Sequence, residues 1–206
     1  MVCTNLNCGW KGVLLLSLGL PFLVPAASAA MVAMSAHTMV IGGDGRLLAS
    51  GSNIYGQLGV GDVYTRGTFC PSQGPGLWLD VWAGPRATFA KMVDGSLWAC
   101  GSTGSGMLGV GEPLTGDGKS FLRVGTDNNW SEVSVGERHG IGRKTNGSLW
   151  VWGYGPSGQL GLGANSSNQS SPIQLGTDTD WLGFDAGNSY NLAVKTDGSL
   201  WSWGCL

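Results

Sequence analysis

The chain has 206 residues, enough for one domain with a buried core or for two small ones. Its 11 basic and 13 acidic residues nearly balance, and the basic ones are scattered, so a patch for a nucleic-acid backbone is not expected. Glycine is abundant, with 37 residues beside 10 tryptophans, which favours short strands and tight turns around an apolar core over disorder.

Residues 1–30 differ from the rest of the chain. Lys11 precedes the apolar run GVLLLSLGLPFLVPAASAA, and an Ala-Ser-Ala sequence ends at Ala29, the layout of a secretory signal peptide. An uncleaved membrane anchor and a misassigned start, with Met31 or Met34 as initiator, are the alternatives. We therefore expect a secreted or cell-surface protein, with a membrane contact only if this segment is not cleaved.

Three cysteines remain outside that segment: Cys70, Cys100 and Cys205. They form no C-x-x-C pair and have no metal-ligand spacing, so a metal site is not predicted. Cys100 occupies a position where two later repeats carry tryptophan, and it is interpreted as a small core residue.

Four segments repeat along the chain, beginning at His37, Ala87, His139 and Tyr190. Each contains an Asp-Gly or Asn-Gly pair between apolar runs, and the glycines of these pairs are separated by 50, 52 and 51 residues. Such pairs tolerate the positive φ of a two-residue hairpin turn. Each segment is therefore predicted to form a β-hairpin, within repeats near 37–86, 87–138, 139–189 and an incomplete 190–206.

A glycine-rich element follows the first three hairpins: GSNIYGQLGVG from Gly51, GSTGSGMLGVG from Gly101 and GYGPSGQLGLG from Gly153. The third copy has the G-x-G-x-x-G spacing of a dinucleotide-binding loop. Its middle glycine, Gly155, is replaced by Asn53 and Thr103 in the sister copies, and a polar loop follows it rather than a helix. A cofactor site is therefore not predicted.

A variable polar stretch comes next, over 62–77, 112–129 and 164–180, and a tryptophan-led strand begins at Trp78, Trp130 or Trp181. Each repeat thus has about four short strands in about 50 residues, the size of one propeller blade.

The stretch from Trp130 to Gly161 shows a fuller pattern: W-x-x-V-x-x-G-x-x-H, then N-G-x-L-W-x-W-G, then G-Q-L-G. It comprises Trp130, Val133, Gly136, His139, Asn146-Gly147, 149–153 and 158–161. These residues resemble the regulator of chromosome condensation repeat family, and the resemblance covers about residues 31–206. It implies an all-β fold, a β-propeller that has seven blades in the family's best-known members. Three repeats and part of a fourth predict an open partial propeller of about 3–4 blades.

Seven blades would need roughly 350 residues. The sequence is therefore interpreted as a fragment of a longer propeller. A decayed copy and a protomer that assembles with other copies are the alternatives.

Catalysis has little support in the sequence. The only two histidines, His37 and His139, occupy one repeat position where the sister repeats carry Ala87 and Tyr190, which favours a structural role. We expect no enzyme activity, no catalytic residues and no cofactor. The resemblance favours a non-catalytic protein-interaction or scaffold module of a secreted or surface protein. The alternatives are guanine-nucleotide exchange on a small GTPase, as in the family's founding nuclear member, and a binding appendage of a larger hydrolase.

The expected partner is another protein, with no nucleic acid. Propeller loops at one end usually carry binding residues. Four residues of the glycine-rich elements are the candidate partner-binding residues: Tyr55, Gln57, Tyr154 and Gln159.

Overall fold

The computed structural model describes residues 31–33, 36–112, 118–163 and 166–205. Regular structure in these ranges is β-strand, apart from one 3₁₀ turn at Gly104–Gly106. No helix in the described ranges is long and apolar enough to cross a membrane. Residues 1–30, interpreted above as a signal peptide or anchor, lie outside the described residues.

Four antiparallel sheets follow one another along the chain, and in each sheet neighbouring strands are consecutive in sequence. Blade 1 contains β1 (Met31–Ala33), β2 (His37–Ile41), β3 (Leu47–Gly51) and β4 (Arg66–Pro71). Blade 2 contains β5 (Trp78–Ala83), β6 (Ala87–Met92), β7 (Leu97–Gly101) and β8 (Leu122–Arg123). Blade 3 contains β9 (Trp130–Val135), β10 (His139–Lys144), β11 (Leu149–Gly153) and β12 (Gln169–Gln174). Blade 4 has three strands in the described residues, β13 (Trp181–Ala186), β14 (Tyr190–Lys195) and β15 (Leu200–Gly204).

This arrangement confirms the predicted all-β, open partial propeller. The blades and the sequence repeats differ in phase. A blade starts at its tryptophan-led strand, whereas the repeat 87–138 takes the last three strands of blade 2 and the first strand of blade 3.

The predicted hairpin turns join the second and third strands of each blade. In blade 3, Gly147 has φ 86° and its N–H donates to the Lys144 carbonyl at 2.9 Å. A Cβ on Gly147 would lie 2.0 Å from the carbonyl oxygen of Thr179, in the linker to blade 4. Glycine is therefore required twice here, by the turn conformation and by the close approach of the next linker.

The apolar core lies between successive blades, in three clusters of buried side chains. Between blades 2 and 3, the fully buried indole of Trp152 donates from Nε1 to the carbonyl of Met107 at 3.0 Å. A Cβ on Gly140 would approach the Trp152 ring to 2.4 Å. The tryptophan therefore needs a glycine beside it on the neighbouring strand.

Antiparallel strands place the connections at two opposite ends of the propeller. The hairpin turns and the linkers between blades form the turn end. The glycine-rich elements and the loops between the first and second strands, at 84–86, 136–138 and 187–189, form the loop end. All four candidate binding residues belong to the loop end.

Candidate functional site

The glycine-rich element of blade 1 is fixed by its own hydrogen bonds. Asn53 is buried, its Nδ2 donates to the Asp62 carbonyl at 2.8 Å, and its Oδ1 accepts from the Leu58 N–H at 2.9 Å. Asp62 also accepts from the Tyr64 N–H at 2.9 Å and forms an ion pair with Arg66 at 2.5 Å. The loop is therefore ordered before any partner binds.

This network of hydrogen bonds changes the pKa of the Asp62 carboxylate. Partial desolvation raises its pKa, but hydrogen bonds from the Tyr64 backbone and Arg66 outweigh that effect, so the pKa lies below its usual value. Because the charged form is favoured, the carboxylate keeps its role in the loop at neutral pH.

Two of the four predicted binding residues have buried side chains. The Gln57 Oε1 accepts from the Tyr55 N–H at 3.0 Å, and Gln159 lies buried at the equivalent position of blade 3. Their backbone carbonyls are also occupied: that of Gln159 accepts from the side chains of Asn191 at 2.6 Å and Trp203 at 3.0 Å. Both glutamines therefore shape the loop and the blade interface with side chains that are not exposed, and whether the loops that carry them contact a partner stays a prediction.

Tyr55 and Tyr154 are half-buried and keep accessible surface at the loop end. They are not equivalent residues, since Tyr154 directly follows the first glycine of its element and Tyr55 directly precedes the second. Whether they contact a partner stays a prediction.

The structure brings charged residues beside these tyrosines. The guanidinium of Arg86 lies 5.2 Å from the Tyr55 ring centroid and forms an ion pair with Glu137 at 2.7 Å. The guanidinium of Arg138 lies 6.0 Å from the Tyr154 ring centroid. We call these five residues the Tyr–Arg row; it crosses blades 1 to 3 at the loop end.

Sequence reasoning missed the charged members of this row. A signal was present, because Arg86 and Arg138 directly precede Ala87 and His139, the first residues of two repeats. It also missed the exposed apolar side chains of Ile54 and Tyr64, which the fixed loop of blade 1 presents to solvent.

The histidines are buried between blades and do not reach this surface. Burial lowers the pKa of His37 to about 4 and also lowers that of His139, where the hydrogen bond to Asn191 partly opposes it. Both histidines hydrogen-bond to a side chain of the next blade, which is the structural role expected of them.

In the described part of the chain, no three His, Cys, Asp or Glu side chains are grouped to hold a metal ion.

A family model described as regulator of chromosome condensation (RCC1) repeat matches residues 146–194, and a second with the same description matches residues 130–159. The ultraviolet-B receptor UVR8 of Arabidopsis thaliana is 32% identical over 181 residues, which cover 84% of this chain and 40% of the receptor. The human X-linked retinitis pigmentosa GTPase regulator is 28% identical over 153 residues, which cover 71% of this chain and 15% of that protein.

The crystal structure of Prp20p from Saccharomyces cerevisiae has a similar fold, with a TM-score of 0.74 and 20% identity. The similarity covers 86% of this chain and 46% of the yeast chain. This chain thus spans less than half the length of each of these proteins.

Proposed function

Because the chain carries repeats of the regulator of chromosome condensation family, we propose that it is a non-catalytic protein-interaction module of a secreted or surface protein, which binds its partner through the loop end. The similar proteins support a protein partner. They include a receptor, a GTPase regulator and the yeast protein Prp20p, whose described binding properties concern Gsp1p and histones.

The observation that carries the proposal is the Tyr–Arg row on ordered loops. Tyrosine and arginine supply much of the binding energy in protein interfaces, since both combine large contact area with directional polar groups. Here the loop of blade 1 is already held by the Asn53 and Asp62 hydrogen bonds. Binding therefore loses less conformational entropy than it would on a mobile loop.

Affinity capture from the native host tests the proposal. The bait is the full chain, and the loop-end variant combines Tyr55→Ala, Arg86→Ala and Tyr154→Ala. The matched control is Arg46→Ala, because Arg46 is an exposed arginine at the turn end. A protein retained by the wild type and the control and lost from the loop-end variant supports the proposal. Equal retention by all three baits contradicts it.

Secretion is tested separately. The layout of residues 1–30 supports export, so a C-terminally tagged chain is expected in the medium or at the cell surface, with its N-terminus near residue 30. N-terminal sequencing of the tagged product measures this. A product that stays inside the cell with its N-terminus intact would reject the signal-peptide interpretation and leave the binding proposal untouched.

Regulation of a small GTPase is the second candidate function, and the similarity to the human GTPase regulator favours it. The expected result is faster release of a fluorescent guanine nucleotide from a small GTPase when the chain is added. Unchanged release across a panel of Ras-like GTPases would exclude this candidate.

A further inference from the structure

A pocket of about 270 Å³ lies at the loop end, where the loops between the first and second strands of blades 2 to 4 meet. Each of these loops contributes its second residue to the lining, and the three equivalent residues are Pro85, Glu137 and Asn188. The lining thus comes from three successive blades, all within the described residues. Pockets for drug-sized ligands have roughly 300–1,000 Å³, so the size of this one suits a single side chain.

Close packing between successive blades holds the pocket in shape. A Cβ on Gly84 would lie 2.4 Å from Val135 Cγ1, and a Cβ on Gly136 would lie 2.6 Å from the Gly187 carbonyl oxygen. The first glycine of each of these two loops is therefore required by contact with the next blade. The residue that follows the glycine differs from blade to blade, so packing does not specify a carboxylate at Glu137.

Glu137 provides the one carboxylate of the lining. Its Oε1 accepts from the Arg86 guanidinium at 2.7 Å, whereas its Oε2 has no hydrogen-bond partner in the described chain. The Glu137 side chain is 36% exposed. Because an ionised carboxylate accepts through both oxygens, Oε2 is available to a donor that enters the pocket.

The charges of the loop end are separated into two sides. The guanidinium groups of Arg86 and Arg138 lie over tyrosine rings of the glycine-rich elements. On the side of the first strands, Asp185 is exposed and directly precedes Ala186, which lines the pocket. The pocket therefore opens on the side where negative charge is added.

A buried imidazole beneath the pocket also favours positive charge. A Cβ on Gly136 would lie 2.5 Å from His139 Nδ1, and this nitrogen has no hydrogen-bond partner among the described residues. The Asn191 amide nitrogen donates to the Gln159 carbonyl, so the Asn191 oxygen accepts from His139 Nε2. Burial lowers the pKa of His139, so Nδ1 carries a lone pair at neutral pH. That lone pair lies directly under the glycine of the lining.

We propose that this pocket receives a lysine or arginine side chain of the protein partner, with its cationic group hydrogen-bonded to Glu137. The inference rests on the proposed function, because it names the chemistry by which the loop end recognises that partner. Pro85, Val135 and Ala186 supply apolar surface for the methylene stem. Glu137 then pairs with two cations, Arg86 through Oε1 and the partner's side chain through Oε2, both by charge-assisted hydrogen bonds.

NMR titration of the isotopically labelled full chain tests the pocket without the partner. The probe is Nα-acetyl-arginine amide, and Nα-acetyl-citrulline amide is the matched comparison because it has a similar shape and no charge. The arginine probe is expected to shift the amide signals of Gly136, Gly187 and Asn188 saturably, and the citrulline probe to leave them in place. An equal response to citrulline, or a response to Nα-acetyl-glutamate amide instead, overturns the proposal.

Two variants assign the binding to the carboxylate. Glu137→Gln is expected to weaken binding of the arginine probe roughly tenfold or more. Arg86→Gln is the matched control, because it breaks the same ion pair and leaves the carboxylate in place, so it should bind at least as tightly as the wild type. An unshifted Gly147 signal at the turn end shows in the same spectra that a variant is folded. Unchanged binding by Glu137→Gln, or an equal loss in both variants, contradicts the proposal.

Affinity capture separates a failure of the pocket from a failure of the proposed function. A partner that Glu137→Gln retains as well as the wild type, and that the loop-end variant loses, contradicts the pocket and keeps the proposed function. A partner retained equally by the wild type and the loop-end variant counts against the proposed function. Charge-dependent binding of the arginine probe would still support the pocket in that case.

Discussion

The imidazole Nε2 of His139 in blade 3 lies 3.0 Å from the side-chain Oδ1 of Asn191 in blade 4. The Asn191 Nδ2 donates to the Gln159 carbonyl at 2.6 Å, so the Oδ1 faces the imidazole and accepts from it. His139 therefore carries a proton on Nε2. Its Nδ1 has no hydrogen-bond partner among the described residues, so protonation would place an unsatisfied donor in the core.

His37 repeats this arrangement between blades 1 and 2. Thr88 Oγ1 donates to the Gln57 carbonyl at 2.7 Å and accepts from His37 Nε2 at 2.8 Å. The His37 Nδ1 is likewise buried without a partner in the described chain. Both histidines thus favour the neutral form, which agrees with their lowered pKa values.

The first prediction is a loss of stability in mild acid. Above about pH 7.5, roughly one unit above its unfolded pKa, His37 is neutral in both the folded and the unfolded chain, so pH has no effect through it. Between that pH and its folded pKa of about 4, only the unfolded chain takes up the proton, and the free energy of unfolding falls. We expect a loss of roughly 2–3 kcal/mol from His37 at pH 4.5, with a loss of the same sign from His139. Urea unfolding at pH 7.5 and 4.5 measures it.

The control for that prediction is the double variant His37→Gln and His139→Gln. Glutamine keeps an N–H donor but does not titrate, whereas the carboxylates titrate in both proteins. The stability difference between wild type and variant is therefore expected to shift in the variant's favour at pH 4.5. A pH-independent difference would show that the histidines do not titrate on unfolding.

The second prediction concerns Gly140, beside the buried ring of Trp152. Gly140→Ala places a methyl group where the ring lies 2.4 Å away, so either the indole or the strand must move. We expect a cost of about 1–3 kcal/mol in the free energy of unfolding. Gly67→Ala is the matched control, because a Cβ at that strand glycine meets nothing within 4 Å. Equal stability of the two variants in urea would contradict the packing argument.

The repeats explain which parts of this fold were predictable. Turn pairs such as Asn146-Gly147 recur because the backbone of the turn requires them. The hairpin strands on either side and the spacing of the repeats could therefore be predicted from this single sequence. The close contact between Gly140 and the Trp152 ring could not be predicted from the sequence. It joins two strands of one blade, and the sister positions carry threonine or asparagine, so the comparison of repeats marks no glycine there. The burial of the Gln57 and Gln159 side chains was not visible for a related reason: a polar residue in a loop is typically exposed, yet here the loop folds back between two blades.

The third prediction tests the charge on Lys144. Its Nζ lies 3.3 Å from the ring centroid of Trp150 and 2.7 Å from the Asp127 carboxylate. Met92 takes the equivalent position in blade 2, so Lys144→Met should preserve the packing and lose a cation–π contact worth about 1 kcal/mol. We expect a change within about 1 kcal/mol in urea unfolding. Lys144→Ala is the comparison, since it also removes the packed stem and should cost more.

The fourth prediction concerns thiol chemistry. Cys100 is fully buried and burial raises the pKa of its thiol strongly, so both access and thiolate formation are suppressed. Cys205 is exposed. In the native chain a maleimide should label Cys205 far faster than Cys100, and urea should remove the difference. Comparable native rates, read by peptide mass spectrometry, would show that the interface between blades 1 and 2 opens readily.

The three blade interfaces differ in their histidine content. Those between blades 1 and 2 and between blades 3 and 4 each contain a histidine, whereas Ala87 and Gly140 replace that polar pair between blades 2 and 3. Proton uptake by these histidines would therefore weaken the two outer junctions, and the central one has no histidine to contribute such an effect. Acid unfolding should pass through a state in which blades 2 and 3 remain paired while the flanking blades have detached, and amide hydrogen exchange would show protection lost from both ends of the array inward.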